Sequence, residues 1–276
     1  MGQAKIRRME GFSPQLINEW EADDCVNFAV ALARMTGWLL HVDWWSPATR
    51  LNEDIPLDHL TPLRLYVADN SDKIFDVHGI KMFDEFTKRT VLPLALKVAR
   101  GRGGILTRFY DEAKLNSLPL RSQPDETKIA QAIEAIAAKP NYLASIPKRS
   151  QPCIPAYEAA RYTFGRCAVF AEAMRELTGL QPVALLAIKF SPKFEGTKRG
   201  DDGYFHSVVI HPDGMAEDAW GKASIYEIAS RFGVIEFQAN AENHRKGVEK
   251  IQSESAEFYD YEFNRAMALI RTFRSI

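Results

Sequence analysis

The chain has 276 residues, enough for about two domains of roughly 150 residues each. Its nonpolar fraction of 46% is typical of globular proteins, and 35 basic against 36 acidic residues give a formal net charge of −1, which disfavours nucleic acid as the main partner. Three cysteines are too few for a disulfide framework, so a reducing compartment is the simpler interpretation.

The sequence also lacks the usual signals of membrane insertion and secretion. No apolar stretch reaches the roughly 18 residues that a membrane span needs. The basic segment 1–12 is not followed by the apolar run of a signal peptide. We therefore expect a cytoplasmic protein that does not bind membranes, with export by a signal-less route left open.

Periodicity and turn residues predict an ordered series of elements in the first half. Ser13 caps a helix that begins at Pro14 and runs to Trp20, and Gly37 ends a second helix over 25–35. The other predicted elements are strands at 39–45, 63–68 and 74–77, a helix at 81–89, a glycine-rich break at 100–104, an alanine-rich helix at 125–139 and a proline-rich linker at 145–155.

The pattern then begins again. The predicted helices of the second half are 155–162, 167–177, 224–231 and 254–272, and its predicted strands are 183–190, 204–210 and 215–219. These elements follow the order of the first half, which indicates an internal repeat.

The repeat has a constant offset of 142 residues, the separation of Cys25 from Cys167. The same offset relates the helix-ending pairs Thr36-Gly37 and Thr178-Gly179, then Asp76 and Asp218, Gly79 and Gly221, Glu85 and Glu227, and Arg89 and Arg231. One position differs in a way that matters for chemistry, because His206 of the second copy corresponds to Arg64 of the first.

Cys167 is the candidate nucleophile of the second copy. It is predicted to begin a helix, and a helix N-terminus lowers the pKa of a cysteine. Gly165 allows close backbone approach, Arg166 adds positive charge, and the N–H of Cys167 would face a developing oxyanion.

His206 and Asp218 are predicted to lie on adjacent strands of a hairpin. A three-residue loop at 212–214 pairs residues whose numbers sum to 426, which places His206 and Asp218 on one face as diagonal neighbours. Asp218 would then orient the ring and favour its protonated form, while His206 serves as general base and acid.

These residues resemble the transglutaminase-like branch of the papain-like cysteine protease superfamily. The similarity covers about residues 155–232 and consists of Gly165-x-Cys167-x-x-Phe170-Ala171, His206-x-x-Val209, Asp213-Gly214 and Asp218. It implies an α+β papain-like module, here duplicated with a degenerate first copy. Members of the superfamily include peptidases, amidases, deamidases, acyl-transferring cross-linkers and inactive binding proteins.

The sequence departs from that pattern at the second oxyanion donor. Papain-type enzymes carry a Gln six residues before the cysteine, where this chain has Arg161. Because related proteins often use an upstream aromatic residue, the resemblance assigns support of the oxyanion to Tyr162, together with Arg166.

The first copy is expected to be degenerate, with a site of Cys25, Arg64 and Asp76. Arg64 stays protonated and cannot act as a base, so an ion pair with Asp76 is the simpler expectation. A pocket for an acidic group remains an alternative there, and His59 or His78 could in principle replace the missing histidine.

Two further alternatives concern the second copy. Cys167, His206 and Asp218 could bind zinc with His211 as the fourth ligand, although no close ligand pair supports this. The glycine-rich charged segment 193–204 leads into His206, so it could be either a solvated loop or a lid.

The sequence thus predicts a degenerate papain-like module at 1–100, a connector with one helix at 101–154 and a catalytic module at 155–276. The predicted activity is that of a cysteine-dependent hydrolase or acyl transferase acting on a peptide or glutamine-type amide, without a cofactor or metal. Such an enzyme could be an effector or toxin with a protein substrate. The alternative is a catalytically inactive interaction module.

Overall fold

The structure, a computed structural model, describes residues 11–48, 50–51, 54–99, 101–149, 153–194 and 203–274. The chain divides into two units, Met1–Arg149 and Ser150–Ile276. Each unit combines helices with a five-stranded antiparallel sheet, so the fold class is α+β.

The first unit begins with two helices and then forms its sheet. Its helices are α1 (Pro14–Ala22), α2 (Val26–Thr36), α3 (Phe83–Phe86), α4 (Leu92–Val98), α5 (Glu126–Ala137) and α6 (Pro140–Ala144). Its strands are β1 (Leu39–Ser46), β2 (Thr61–Ala68), β3 (Lys73–Asp76), β4 (Gly79–Met82) and β5 (Gly104–Tyr110), in the order β4-β3-β2-β1-β5.

The predicted helix signals of this unit act as expected. The Ser13 hydroxyl accepts a hydrogen bond from the Leu16 N–H at 3.3 Å, and Gly37 ends α2 with a φ of 77°. Helix α2 packs its apolar face on the sheet and against α5. The predicted helix at 81–89 begins only at Phe83, because the residues before it form strand β4.

The segment 101–154 does not form the separate connector that was expected from its glycine and proline content. Strand β5 begins at Gly104, the last residue of the glycine-rich break, and pairs with β1 from Leu40–Tyr110 to Ser46–Gly104. Helix α5 buries Ile129, Ala132 and Ile136 in the core of the first unit. The unit boundary therefore lies at Arg149, rather than at positions 100 and 154.

The second unit has a similar series of elements. Its helices are α7 (Ala156–Arg161), α8 (Cys167–Thr178), α9 (Ile225–Arg231), α10 (Ala241–Glu254) and α11 (Ala256–Phe273). Its strands are β6 (Gln181–Phe190), β7 (Tyr204–Ile210), β8 (Ala216–Asp218), β9 (Gly221–Ala223) and β10 (Val234–Asn240), in the order β10-β6-β7-β8-β9. Helices α8 and α11 pack together, as do α10 and β6.

The two sheets have the same topology and register. In each, the first strand lies between the second strand and the last one, and the middle strands follow as antiparallel neighbours. Cα pairs related by the 142-residue offset are Asp43–Arg64 and Leu185–His206, Val67–Phe75 and Val209–Glu217, and Asp76–Gly79 and Asp218–Gly221. The repeat seen in the sequence is therefore also a repeat of strand pairing.

Within the described part of the chain, none of the helices combines the length and the apolar character that a membrane crossing requires.

Candidate active site

Cys167 is the first residue of α8 and is 3% exposed. The chain enters this helix through Gly165, whose φ of +72° is a left-handed conformation that favours glycine. N–H groups in the first turn of a helix have no acceptor within the helix and carry partial positive charge. The position therefore stabilises negative charge on the sulfur or on an oxygen bound next to it.

The hairpin of β7 and β8 has the predicted register. Val209 pairs with Glu217 and Ile210 with Ala216, and the His211 N–H donates to the Met215 carbonyl across the turn. This register brings His206 Nε2 within 3.0 Å of Asp218 Oδ2, and both side chains are buried. The predicted imidazole–carboxylate pair is thus present.

Asp218 is itself held from two further directions. Its Oδ1 accepts a hydrogen bond from the Trp220 N–H at 2.9 Å, and Arg231 lies 3.4 Å from its Oδ2. The Phe232 ring lies 4.7 Å from the His206 ring, centroid to centroid. These contacts fix the orientation of the imidazole and shield its bond to the carboxylate from water.

Cys167 and His206 shift each other's pKa in opposite directions. Burial raises the pKa of the Cys167 thiol. The charge and hydrogen bond of His206, the Tyr204 hydroxyl and the Ser207 N–H together lower the pKa by more, so the net change is downward. Burial lowers the pKa of His206, whereas the charges of Cys167 and Asp218 raise it to about 9. Both shifts favour transfer of the thiol proton to the imidazole.

The geometry of the imidazole agrees with that assignment. Because Nε2 faces Asp218, the other ring nitrogen, Nδ1, is the atom available to the sulfur. Nδ1 is buried and makes no hydrogen bond of ordinary geometry, yet the ring is close enough to Cys167 for each group to change the other's pKa. An unpaired buried nitrogen of this kind is a suitable proton donor to a leaving group.

Tyr204 and Ser207 complete the surroundings of the sulfur, and sequence reasoning missed both. The Tyr204 hydroxyl lies 3.3 Å from Cys167 Sγ and 2.9 Å from Ser207 Oγ. Simple alternation places Tyr204 on the face of His206, but a bulge in β7 skips Phe205 and moves Tyr204 to the face of Ser207. The sequence shows the pattern Tyr-x-His-Ser, but it gives no signal for the bulge.

The predicted oxyanion supports make other contacts. The Tyr162 hydroxyl donates to the Glu262 carbonyl of α11 at 3.3 Å, and Arg166 Nε bonds to the Glu262 carboxylate at 3.0 Å. Arg161 reaches the same carboxylate at 3.2 Å. These side chains therefore anchor the segment before Cys167 to α11, and their assignment to the oxyanion gains no support from these contacts.

The equivalent site of the first unit is closed by ion pairs. Arg64 is buried and lies 3.1 Å from both carboxylate oxygens of Asp76 and 3.1 Å from Glu21. His78, considered as a replacement base, lies 2.9 Å from Glu21. The ion pair expected between Arg64 and Asp76 is present, in the place where the second unit has His206 and Asp218.

Cys25 also differs from Cys167 in its backbone. It is the N-cap of α2 with a φ of 60°, whereas Cys167 lies inside the first helical turn. Burial raises the pKa of the Cys25 thiol well above its ordinary value, against the opposing charge of Arg64. Cys25 is therefore a neutral core thiol.

Two alternatives from the sequence remain, a zinc site at Cys167 and a lid at 193–204. Among the described residues no group of three or more His, Cys, Asp and Glu side chains is placed to bind a metal ion, and His211 bonds to Glu217 at 2.7 Å. The proposed lid at 193–204 falls mostly on residues 195–202, which lie outside the described residues.

No protein-family model, curated protein or solved structure matches this chain. The geometry around Cys167 is consequently the basis for the function proposed below.

Proposed function

We propose that the chain is a cysteine-dependent hydrolase or acyl transferase that acts on an amide, either of a peptide bond or of a glutamine side chain. The observation that carries this proposal is the buried set of Cys167 at a helix start and His206 bonded to Asp218 at 3.0 Å. A lowered thiol pKa beside a raised imidazole pKa is the electrostatic state that thiol acylation requires.

The proposed reaction begins when the Cys167 thiolate attacks the amide carbonyl carbon and forms a C–S bond. The negative charge passes to the carbonyl oxygen, next to the N–H groups of the first α8 turn. Protonated His206 then gives its proton to the amine nitrogen as the C–N bond breaks, which leaves a thioester.

The second half-reaction restores the enzyme. Neutral His206 takes a proton from water, or from an acceptor amine, as its oxygen or nitrogen attacks the thioester. The C–S bond breaks, and Cys167 leaves as the thiolate beside the imidazolium. Asp218 holds one ring orientation throughout and offsets the positive charge of His206.

The fold proposed for this activity is papain-like, of the transglutaminase-like type, in two copies. The common strand order and the 142-residue register of both sheets support a duplication. We assign the chemistry to the second copy alone, since Arg64 and the neutral Cys25 leave the first without a base or a nucleophile.

A catalytically inactive interaction protein is the second candidate. The burial of Cys167, which is 3% exposed, favours it, because a substrate must reach the sulfur. Alkylation of Cys167 by a small reagent separates the two candidates.

Iodoacetamide labelling at a series of pH values tests the proposal, with each cysteine followed by peptide mass spectrometry. We expect Cys167 to react with a midpoint below that of Cys153, and Cys25 to remain unlabelled in the folded protein. Cys167→Ala provides the matched control. If Cys167 reacts no faster than Cys153 near neutral pH, the enzyme proposal fails.

A substrate screen then defines the reaction. Glutamine-containing peptides incubated with the protein, with and without a primary amine, would yield cleaved peptide, glutamate or an amine adduct, which mass spectrometry distinguishes. Loss of all products in Cys167→Ala is expected. Products that persist in that variant would assign the activity elsewhere.

A further inference from the structure

A continuous network of hydrogen bonds leads away from Cys167 through residues other than His206. It runs from Cys167 Sγ to the Tyr204 hydroxyl at 3.3 Å, and from there to Ser207 Oγ at 2.9 Å. Ser207 Oγ lies 3.0 Å from His244 Nδ1, and His244 Nε2 lies 2.8 Å from Glu172 Oε1. The mechanism proposed above uses none of the last three residues.

The first unit shows that this fold packs without such a hydrogen-bond network. At the same register positions, Ser207 corresponds to Leu65 and Glu172 to Val30, and both nonpolar residues are buried in the first core. A buried polar network costs stability unless every member is paired. Its presence only beside the histidine-containing site therefore points to a role in that site's chemistry.

The hydrogen bonds between Cys167 and Glu172 can all point in either of two directions with every group still paired. With a Cys167 thiol, each group donates outward, so Ser207 donates to Nδ1 of a neutral His244, which donates from Nε2 to Glu172. With a thiolate, each group donates inward, so His244 carries a proton on both nitrogens, one facing Ser207 and one facing Glu172. The two states differ by one proton moved from sulfur to His244, with every partner still satisfied.

The far end of the chain meets a solvent-accessible cavity. His244 and Glu172 line a space of about 450 Å³ between α8, α10 and α11. The charged and titratable groups around it are Glu172 and Arg175 of α8, Glu242, Arg245 and Glu249 of α10, and Tyr259 of α11. Arg175 lies 2.5 Å from Glu172, which secures the carboxylate at the end of the chain.

We propose that Tyr204, Ser207 and the His244–Glu172 pair form a proton relay that connects Cys167 to this cavity. The inference rests on the proposed function, because it assigns the relay to the Cys167 nucleophile. Tyr204 contacts the reacting sulfur, whereas Ser207, His244 and Glu172 act through it as positioning and relay residues.

The relay supplies a second route for the thiol proton. The S–H bond of Cys167 breaks as the proton passes to Tyr204, the Tyr204 proton passes to Ser207, and the Ser207 proton passes to His244 Nδ1. The Nε2 proton of His244 passes to the Glu172 carboxylate, which releases it to water in the cavity. A substrate bound over Cys167 and His206 would leave this route open, so the thiolate can form without solvent access at the substrate side.

The test measures the pH midpoint of Cys167 alkylation by iodoacetamide in single variants of the full chain. Ser207→Ala removes only the hydroxyl that joins the two halves of the relay, and His244→Gln removes its terminal base. His211→Gln is the matched control, since His211 also pairs with a glutamate at 2.7 Å but lies outside the relay. Thermal unfolding of each variant reports whether it has folded.

We expect Ser207→Ala and His244→Gln each to raise the alkylation midpoint by about one pH unit, the effect of losing one hydrogen bond to a charged group. His211→Gln should leave it unchanged. Tyr204→Phe should raise it further, and His244→Gln should add nothing in the Tyr204→Phe background, because both changes interrupt the same relay.

The outcomes separate the relay from the enzyme proposal. If wild-type Cys167 reacts as an activated thiol while folded Ser207→Ala and His244→Gln keep the wild-type midpoint, the relay is overturned and the nucleophile stands. If His244→Gln fails to fold, Ser207→Ala decides alone, since it removes a single oxygen. If wild-type Cys167 is not activated, the proposed function fails first.

Discussion

At the scale of single residues, the two units differ most at one position of β2 and β7. Arg64 and His206 occupy the same register position, and each bonds to the equivalent aspartate at about the same distance, 3.1 and 3.0 Å. The guanidinium forms a fixed ion pair, whereas the imidazole can gain and lose a proton. One residue type therefore separates a structural ion pair from a candidate acid–base group.

The role of Asp218 can be tested through the pH dependence of the reaction. Because the charges of Cys167 and Asp218 raise the pKa of His206 to about 9, the imidazolium persists up to that pH and is lost above it. Asp218→Asn removes one negative charge, so the alkaline limb of the kcat/KM profile should move to lower pH. We also expect kcat/KM to fall by roughly 10²- to 10⁴-fold.

Asp213→Asn is the control for that measurement, since Asp213 lies in the turn of the same hairpin and bonds to Lys222. Its profile should match that of the wild type. An Asp218→Asn profile with the wild-type alkaline limb would show that the carboxylate does not set the state of His206.

At the scale of elements, the segment before Cys167 depends on α11. Glu262 is 2% exposed and accepts hydrogen bonds from Arg161 and Arg166, while Tyr162 donates to its backbone carbonyl. Three side chains from one short segment thus converge on one residue of α11. This helix follows α10, which supplies His244, so the C-terminal helices support the site from two sides.

Glu262→Gln should therefore lower the stability of the second unit and displace the segment that leads into Cys167. The change keeps the side-chain shape but removes the charged partner of Arg166 and the nearer of two partners of Arg161, whose Nε also lies 3.9 Å from Glu158. We expect a loss of about 1–3 kcal/mol in the free energy of unfolding. Urea unfolding checks this value, with Glu257→Gln, an exposed site on the same helix, as control. Equal stability of the two variants would contradict the anchoring role.

The sequence was informative wherever local rules decide the structure. Turn residues and alternation were sufficient for the His206–Asp218 register, and the glycine signals ended α2 and α8 as expected. The sequence did not predict strands β5 and β10. Their partners, β1 and β6, lie far away in the sequence, so neither strand has a local hairpin signal. Tyr204 and His244 were missed because a bulge and a tertiary contact place them.

At the scale of the whole molecule, one topology occurs twice with different polar groups. The first unit buries nonpolar residues where the second has Ser207 and Glu172, and it closes its site with Arg64. Each unit has its own sheet and its own hydrophobic clusters. The features that suggest catalysis are thus all contained in the second unit.

This division predicts that residues 150–276 expressed alone will fold and keep the reactive thiol. The unit contains Cys167, His206, Asp218 and the relay residues, so the alkylation midpoint of Cys167 should equal that of the full chain. The first unit alone should show no activated cysteine, because burial raises the pKa of Cys25. Circular dichroism reports folding, and the fragment carrying Cys167→Ala gives the labelling background. A folded fragment with an ordinary thiol midpoint would mean that the first unit contributes to the site, and would assign that unit a role in activating Cys167.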